Sequence, residues 1–356
     1  MDVRVGLFVV AAASAAAAAQ DASTTGMKPD AETAAVQAAA PAKPRAAMIA
    51  PLAATSTLLG IAAAGQRLVA VGQRGHILLL DDGSDWRQVE VPANAMLNRV
   101  RFRDEKHGWA VGHDGTILAT ADGGQTWQLQ RFDPEGRPLY DVLFLDGARL
   151  VALGGYGTYL TSADDGRTWE RREFTLTELG QHFNAATRLN DGTLLIAGER
   201  GLLARSRDGG ETWQLLDSPY TGSFFGVLPV GDKGALVFGL RGNLYATADI
   251  HAGKTVNMAE YDPFTRETTP DDQALAKTGW RPIKRPTTEG LFGGASDGAR
   301  ALLVGVNGVI VAVDAVQGTA ALLKQAPETL NDVARRGSRW YAVGRRGVQD
   351  LGALEH

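Results

Sequence analysis

The sequence contains no cysteine among its 356 residues, so it forms no disulfide and has no thiol for redox chemistry, metal binding or a lipid anchor. Its six histidines lack the spacing of a zinc site, and we expect neither a metal nor a cofactor. The formal net charge is -4, and no stripe combines basic with aromatic residues. These absences exclude thiol chemistry, a histidine metal centre and a nucleic-acid partner.

Long apolar runs are also missing after the first 19 residues, so we expect no transmembrane span. Residues 1–19 combine Arg4 with a short alanine-rich apolar stretch, which is typical of a secretory signal peptide. Residues 20–45 have almost no large apolar side chains, and we interpret them as a flexible Ala/Pro-rich tether. We interpret residues 354–356 as the remnant of an expression tag. These features predict a protein exported to the periplasm.

Glycine is abundant, with 43 residues, and much of it recurs in a Gly-x-x-Gly turn after an apolar run. Successive first glycines are 40, 42, 44, 41, 66 and 39 residues apart. A period near 40 that is built from short strands is typical of β-propellers, with one four-stranded blade per repeat. The spacing therefore predicts a seven-bladed, all-β propeller of antiparallel blades over residues 46–353. The turns are Gly72/Gly75, Gly112/Gly115, Gly154/Gly157, Gly198/Gly201, Gly239/Gly242, Gly305/Gly308 and Gly344/Gly347.

A second motif, Ser/Thr-x-Asp-x-Gly-x-Thr-Trp, follows the turn at 120–127, 162–169 and 206–213, with a degenerate copy at 79–86. It matches the Asp-box (BNR) repeat, which occupies the turn between the third and fourth strands of propeller blades. We expect the Asp carboxylate to accept hydrogen bonds from backbone N–H groups of the turn, and the Trp to pack between blades. The motif predicts a fold and its stability rather than a reaction.

Two regions depart from the repeat. The 66-residue spacing places an insert at 250–279 in blade 5, with a helix predicted over residues 271–277 and a return to the fourth strand at Trp280. The insert is either a plain surface loop or a partner contact. Blade 7 is one strand short, and we predict that residues 45–55 supply its fourth strand and close the ring.

Strand alternation places the Gly-x-x-Gly turns on the same face as the connections that enter the first strand of each blade. Four of these turns carry an Arg before the second glycine, and a further Arg is adjacent in blade 7. We expect a basic rim that binds an acidic segment of a partner, although Arg is also an ordinary residue in a solvated turn. The predicted binding residues are Arg74, Arg200, Arg241, Arg345, Arg346, Asn98, His182, Tyr220 and Phe224.

The pattern Gly-Trp-Ala-Val-Gly-x-Asp-Gly-x-Ile-Leu-x-Thr-x-Asp-Gly-Gly-x-Thr-Trp at 108–127 resembles the photosystem II stability/assembly factor family of seven-bladed propellers. The resemblance covers about residues 57–350. It implies a non-catalytic, exported or lumenal protein that binds a membrane-protein subunit and assists its assembly through a basic patch. Related exported proteins of non-photosynthetic bacteria imply an RND-type membrane transporter as an alternative partner. The tether, the insert and the degenerate Asp boxes of blades 5–7 depart from the family pattern.

An Asp-box carbohydrate-binding protein or a sialidase-like glycoside hydrolase is the alternative function. Such hydrolases need paired carboxylates or a Tyr/Glu pair, together with arginines that hold the substrate carboxylate. The sequence has no Arg-Ile-Pro segment near its N-terminus, and Asp114 and Glu199 are better explained as turn residues. We therefore predict a monomeric protein-binding propeller that is not an enzyme. Turnover of a fluorogenic glycoside by the purified protein would contradict this prediction.

Overall fold

Seven antiparallel sheets follow one another along the chain in the computed structural model, which describes residues 43–83, 85–174, 180–257 and 272–354. The predicted signal peptide, most of the predicted tether and the last two residues of the predicted tag remnant lie outside the described residues. Each sheet is a meander whose strands pair in sequence order. The protein is a seven-bladed β-propeller, as the repeat spacing predicts.

The strands of each blade are given in order from the centre of the ring outward. Blade 1 contains β1 (Leu58–Ala64), β2 (Arg67–Gly72), β3 (Ile77–Leu80) and β4 (Arg87–Gln88); blade 2 contains β5 (Leu97–Phe102), β6 (Gly108–Gly112), β7 (Ile117–Thr120) and β8 (Gln128–Arg131); blade 3 contains β9 (Leu139–Phe144), β10 (Leu150–Gly154), β11 (Tyr159–Ser162) and β12 (Glu170–Arg171). Blade 4 contains β13 (Phe183–Arg188), β14 (Leu194–Gly198), β15 (Leu203–Ser206) and β16 (Gln214–Leu215); blade 5 contains β17 (Phe224–Val230), β18 (Gly234–Gly239), β19 (Leu244–Thr247) and β20 (Arg281–Pro282). Blade 6 contains β21 (Leu291–Ser296), β22 (Arg300–Gly305), β23 (Val309–Asp314) and β24 (Thr319–Gln325), and blade 7 contains β25 (Leu330–Arg336), β26 (Arg339–Gly344) and β27 (Gly347–Gly352).

The hydrophobic core is divided among the interfaces between neighbouring blades. Among the described residues it forms seven clusters, each shared by two adjacent blades, and the series includes blades 7 and 1. The second strand of every blade is a run of buried residues, such as β10 and β14. A strand that is covered on both faces has this uninterrupted apolar pattern. The innermost strands contact one another in turn, and β25 contacts β1, so the ring is closed.

The predicted closure of the ring by an N-terminal strand is not confirmed. Blade 7 has three strands among the described residues, and residues 45–55 contain no strand. Their polar groups bond to the outer edge of blade 1, where the Ala47 N–H donates to the Val91 carbonyl at 2.9 Å. The Gln88 side chain accepts the Ala50 N–H and donates to the Met48 carbonyl. Blades 7 and 1 are therefore joined by side-chain packing rather than by a shared sheet.

The insert in blade 5 is described in part, at residues 250–257 and 272–279. Helix α1 (Asp272–Lys277) confirms the predicted helix, and Trp280 is buried in the core between blades 4 and 5. The Asp217 N–H donates to the Lys254 carbonyl at 2.7 Å, and the Val256 N–H donates to the Leu215 carbonyl at 3.1 Å. The insert thus covers the outer edge of blade 4.

The Asp boxes have the predicted internal bonding. In blade 2, the Asp122 carboxylate accepts the Thr126 N–H at 2.9 Å and the hydroxyls of Thr126 and Thr120 at 2.6 and 2.8 Å. The Trp127 indole N–H donates to the Gly124 carbonyl at 2.9 Å. Its ring is buried between blades 1 and 2. The other two complete boxes repeat the bonds to the carboxylate.

The Asp boxes also predict how stability depends on pH. Burial opposes ionisation of Asp208, but hydrogen bonds from Thr212 and Ser206 lower its pKa to about 2. Because this value lies below the unfolded pKa of about 3.9, the stabilisation is present above about pH 4 and is lost as the pH falls from about 4 to about 2. Over this range we expect the melting temperature of the wild type to fall more steeply than that of Asp208→Asn, which cannot ionise. Parallel melting curves for the two proteins would contradict this assignment.

Candidate protein-binding face

Each Gly-x-x-Gly turn joins the second and third strands of a blade and has an unusual backbone. In six blades the residue before the second glycine has a φ between +54° and +59°, and that glycine also has a positive φ. Two consecutive left-handed residues are the signature of a type I′ turn, which prefers Gly, Asn or Asp. The residues before the second glycine are Arg74, Asp114, Tyr156, Arg200, Arg241 and Asn307. Three arginines and one tyrosine therefore occupy positions that an ordinary side chain adopts at a cost of about 1–2 kcal/mol.

A repeated hydrogen bond fixes every turn to the connection that enters the innermost strand. In all seven blades the residue after the first glycine donates its N–H to the carbonyl of the residue just before that strand, over 2.8 to 3.2 Å. The pairs are Gln73–Thr57, His113–Met96, Gly155–Pro138, Glu199–His182, Leu240–Ser223, Val306–Gly290 and Arg345–Thr329. We call the surface made by these turns and connections the turn face. The predicted grouping of the glycine turns on one face is confirmed.

The Asp boxes lie on the opposite face. The Gly123 N–H donates to the Lys106 carbonyl in the connection between the first and second strands of blade 2. The guanidinium of Arg67, the first residue of β2 in blade 1, donates to the carbonyls of Asp122 and Gly123. The Asp box of blade 2 is therefore bonded both within its own blade and to blade 1.

A bulge recurs at the second residue of every innermost strand, where the pairing register slips by one residue. Such a bulge turns a side chain away from the regular strand pattern. The bulged residues are Leu59, Asn98, Tyr140, Asn184, Phe225, Phe292 and Asn331. Each of the three asparagines donates its amide to the first residue of the next innermost strand, at 2.7 or 2.8 Å. Asn98, a predicted binding residue, thus links blades 2 and 3.

Of two other predicted residues, Phe224 lies away from the surface and Tyr220 is partly buried. Phe224 is fully buried in the core between blades 4 and 5, and Tyr220 packs against it with ring centroids 6.0 Å apart. The neighbouring bulged residue Phe225 is partly exposed and contacts Phe292 across blades 5 and 6, with centroids 5.4 Å apart. Phe225 and Phe292 thus place two partly exposed aromatic side chains at the bulge positions of blades 5 and 6.

The predicted arginines are all exposed on the turn face. Arg200 and Arg241 lie on the adjacent blades 4 and 5, whereas Arg345 and Arg346 of blade 7 are next to Arg74 of blade 1. Arg346 forms an ion pair with Glu328 at 2.9 Å. The turn face therefore presents two basic sectors rather than a continuous basic ring.

An aromatic cluster lies on the turn face between blades 3 and 4. The ring of His182, a predicted binding residue, lies 4.7 Å from the Tyr156 ring and 5.8 Å from the Tyr140 ring. The guanidinium of Arg137 lies over the Tyr156 ring at 4.5 Å. One oxygen of the Glu199 carboxylate accepts the backbone N–H of His182 at 3.0 Å, and the other lies 3.6 Å from the His182 imidazole. The prediction omitted Arg137, Tyr140 and Tyr156 from the site, although a tyrosine where a turn calls for Gly or Asn was a usable signal.

Buried charges lie along the wall of the central channel, and the sequence reasoning missed them. The Asp141 carboxylate binds Arg101 through two bonds of 2.6 Å, and Asp332 binds Arg99 at 2.8 Å. Burial opposes ionisation of Arg99, but the Asp332 and Asp141 carboxylates raise its pKa. Toward the face of the Asp boxes, Arg99 and Arg101 line a cavity of about 530 Å³. These pairs tie blades 7, 2 and 3 together around the channel.

Neither a metal site nor a membrane-spanning helix is found in the described part of the chain. In residues 43–83, 85–174, 180–257 and 272–354, no cluster of three or more His, Asp or Glu side chains is suited to hold a metal ion. No helix within the same ranges is both long and apolar enough to cross a membrane.

Comparison with known families agrees with this geometry. The sequence matches the family model of the photosynthesis system II assembly factor YCF48 over residues 80–137 and 134–273. The two matches together span more than half of the 356 residues. The chain belongs to the YCF48 family.

The similarity to individual YCF48 proteins is moderate. A photosystem II assembly lipoprotein Ycf48 of Picosynechococcus sp. is 34% identical over 164 residues, which are 46% of this chain and 48% of that protein. The chain thus spans about half the length, or less, of the curated relatives that it matches. A solved structure described as YCF48 bound to D1 peptide has a TM-score of 0.62 at 16% identity, covering 88% of this chain and all of that one. YCF48 from Cyanidioschyzon merolae has a TM-score of 0.60 at 18% identity, covering 85% of this chain and 96% of that one. At these identities the structural likeness shows a shared fold.

Proposed function

We propose that this protein is a non-catalytic, protein-binding propeller whose turn face binds an acidic, extended segment of a membrane-protein subunit during assembly. The proposal rests mainly on the residue types that occupy the left-handed positions of the turns. Arg74, Arg200 and Arg241 occupy left-handed positions where Asn or Gly would be less strained. Strained residues that persist in a fold are concentrated at functional sites. We therefore attribute the presence of arginine at these strained positions to partner binding.

Membership of the YCF48 family supports the same function. The family is described as an assembly factor, and one structure with this fold holds a D1 peptide. We extend peptide binding to the turn face of this chain by analogy. An extended acidic peptide would meet two guanidinium groups if it crosses from blade 4 to blade 5, and three if it crosses from blade 7 to blade 1.

The partner and the compartment form the finer part of the proposal. We propose export to the periplasm, directed by residues 1–19, and two candidate complexes: a photosystem II subunit and an RND-type transporter. Crosslinking in cells, followed by capture of the tagged protein and identification of bound proteins, tests both. Recovery of a membrane-protein subunit supports the proposal and identifies the complex. Recovery of soluble glycans without a membrane protein would contradict it.

The role of the arginines leads to a quantitative prediction. We expect the combined variant Arg74→Asn, Arg200→Asn and Arg241→Asn to weaken partner binding about tenfold, because each exposed ion pair that is lost contributes up to about 1 kcal/mol. The melting temperature should stay at or above the wild-type value, since Asn accepts the left-handed backbone. Pull-down yield at several salt concentrations and thermal unfolding measure the two effects.

The matched control removes arginines from the opposite face. Arg167 and Arg207 are exposed in the Asp boxes of blades 3 and 4, so Arg167→Asn with Arg207→Asn changes the net charge without altering the turn face. We expect wild-type binding from this variant. Equal losses from both sets would show a general charge effect and would overturn the proposed rim.

A further inference from the structure

Tyr156 combines strain with exposure. Its φ is +55°, and 53% of the residue is exposed to solvent. Tyrosine has neither the small side chain nor the local hydrogen bonding that makes Gly, Asn and Asp acceptable in this conformation. A large ring that gains little burial and adopts a strained backbone is not explained by folding stability.

The ring is nevertheless held in place. The Arg137 guanidinium lies over it at 4.5 Å, and the His182 ring lies 4.7 Å away in an edge-to-face arrangement. His182 is itself fixed by the Glu199 carboxylate and by the Tyr140 ring. An exposed aromatic side chain that is already ordered loses little entropy when a partner covers it. Tyr and Arg are also the residue types that most often dominate binding at interfaces.

The guanidinium of Arg137 places a positive charge next to the Tyr156 ring, where a ligand can reach it. Arg137 is exposed, and within the described residues it forms no ion pair with a carboxylate. The nearby Glu199 carboxylate accepts the backbone N–H of His182 and lies 3.6 Å from its imidazole, rather than pairing with Arg137. A ligand at this position would therefore meet an aromatic surface and an unneutralised guanidinium side by side.

We infer that Tyr156 and Arg137 recognise an acidic residue next to a proline within the extended peptide that the turn face binds. This inference rests on the proposed function and names the sequence feature that sets its specificity. The carboxylate pairs with Arg137, and the rigid, apolar proline ring packs on Tyr156, because aromatic surfaces accommodate extended proline-containing segments without further ordering. The open surface excludes a small buried ligand, since half of Tyr156 remains exposed until a larger partner covers it.

Fluorescence anisotropy with labelled synthetic peptides tests this inference on the purified full chain. The peptides share a Gly-Ser background and differ in one central pair: Glu-Pro, Gln-Pro, Glu-Ala or Gln-Ala. We expect the wild type to prefer Glu-Pro over Gln-Pro and over Glu-Ala by about fivefold each, the usual scale of a cation–π, stacking or exposed ionic contact. Absence of either preference would overturn the inference.

Variants assign each preference to its residue. Tyr156→Asn should lose the preference for Pro over Ala, keep that for Glu over Gln, and melt at or above the wild-type temperature because Asn accepts a positive φ. Arg137→Gln should lose the preference for Glu over Gln and keep that for Pro over Ala. Tyr156→Phe should retain both preferences. A proline preference that survives in Tyr156→Asn would overturn the role of the ring.

The outcome is separable from that of the proposed function. If Tyr156→Asn captures the cellular membrane partner with wild-type yield while the arginine variant of the turns does not, the inference fails and the proposed function stands. If the wild type captures no membrane protein in cells, the proposed function fails whatever the peptide ranking shows.

Discussion

Replacing Trp127 with Ala should lower the free energy of unfolding by about 3–5 kcal/mol, the usual cost of truncating a buried Trp. The ring is only 6% exposed and fills the core between blades 1 and 2, where it packs edge-to-face on Phe102. Because interblade packing holds neighbouring sheets together, a cavity at this point weakens one seam of the ring. The change in the free energy of unfolding is measured by urea unfolding of the full chain, monitored by far-ultraviolet circular dichroism.

Trp127→Phe is the matched control for this cavity. It keeps most of the apolar volume and removes the indole N–H that donates to the Gly124 carbonyl. We expect a loss nearer to 1 kcal/mol from the missing hydrogen bond, plus a smaller packing loss. Equal effects of the Ala and Phe variants would show that the hydrogen bond, and not the ring, carries the stabilisation.

Asp141→Ala should cost a similar amount, about 3–5 kcal/mol, because it leaves a guanidinium without its partner in a largely buried network. Asp141 is 0% exposed and binds Arg101 through both carboxylate oxygens. It also accepts the backbone N–H groups of Val142 and Ala186, which belong to blades 3 and 4. Its removal therefore disturbs the channel wall at several bonds at once. Urea unfolding measures this loss as well.

An exposed ion pair provides the comparison for Asp141. Arg339 and Asp350 approach to 2.6 Å in blade 7, but both side chains are well exposed. We expect Asp350→Ala to change the free energy of unfolding by less than about 1 kcal/mol, since solvent screens the pair. If the two aspartate variants were equally stable, burial of Asp141 would not be the source of its effect.

The blade count was predictable because it depends on local signals. Each Gly-x-x-Gly turn and each Asp box is a short segment whose own backbone and side chains define its conformation, as the bonds around Asp122 show. Ring closure depends on which distant surface residues 45–55 meet. Hydrogen bonds to the Gln88 side chain and to the Val91 carbonyl hold this segment against blade 1. No pattern within residues 45–55 indicates these distant partners.

The positions of the turns could be predicted from the sequence, whereas the arrangement of the side chains around them could not. The arginines of the turns follow from the repeat, whereas the bulge shifts the side-chain alternation by one residue at the channel mouth. Phe224 is buried and Phe225 partly exposed, and the sequence alone does not indicate which of the two neighbouring phenylalanines faces the core. The contact between Arg137 and Tyr156 joins a connection to a turn, and only the folded chain brings these two together.

The backbone of the seven turns is determined by glycines and by main-chain hydrogen bonds. The side chain before the second glycine takes no part in those bonds. In six of the blades that residue is Arg, Asp, Tyr or Asn, and its φ stays between +54° and +59°. If these positions bind a partner as proposed, exchange of one residue per blade would change the binding specificity without altering the backbone of the turn. Divergent propellers of this kind should differ most at these positions and least in the cores between blades.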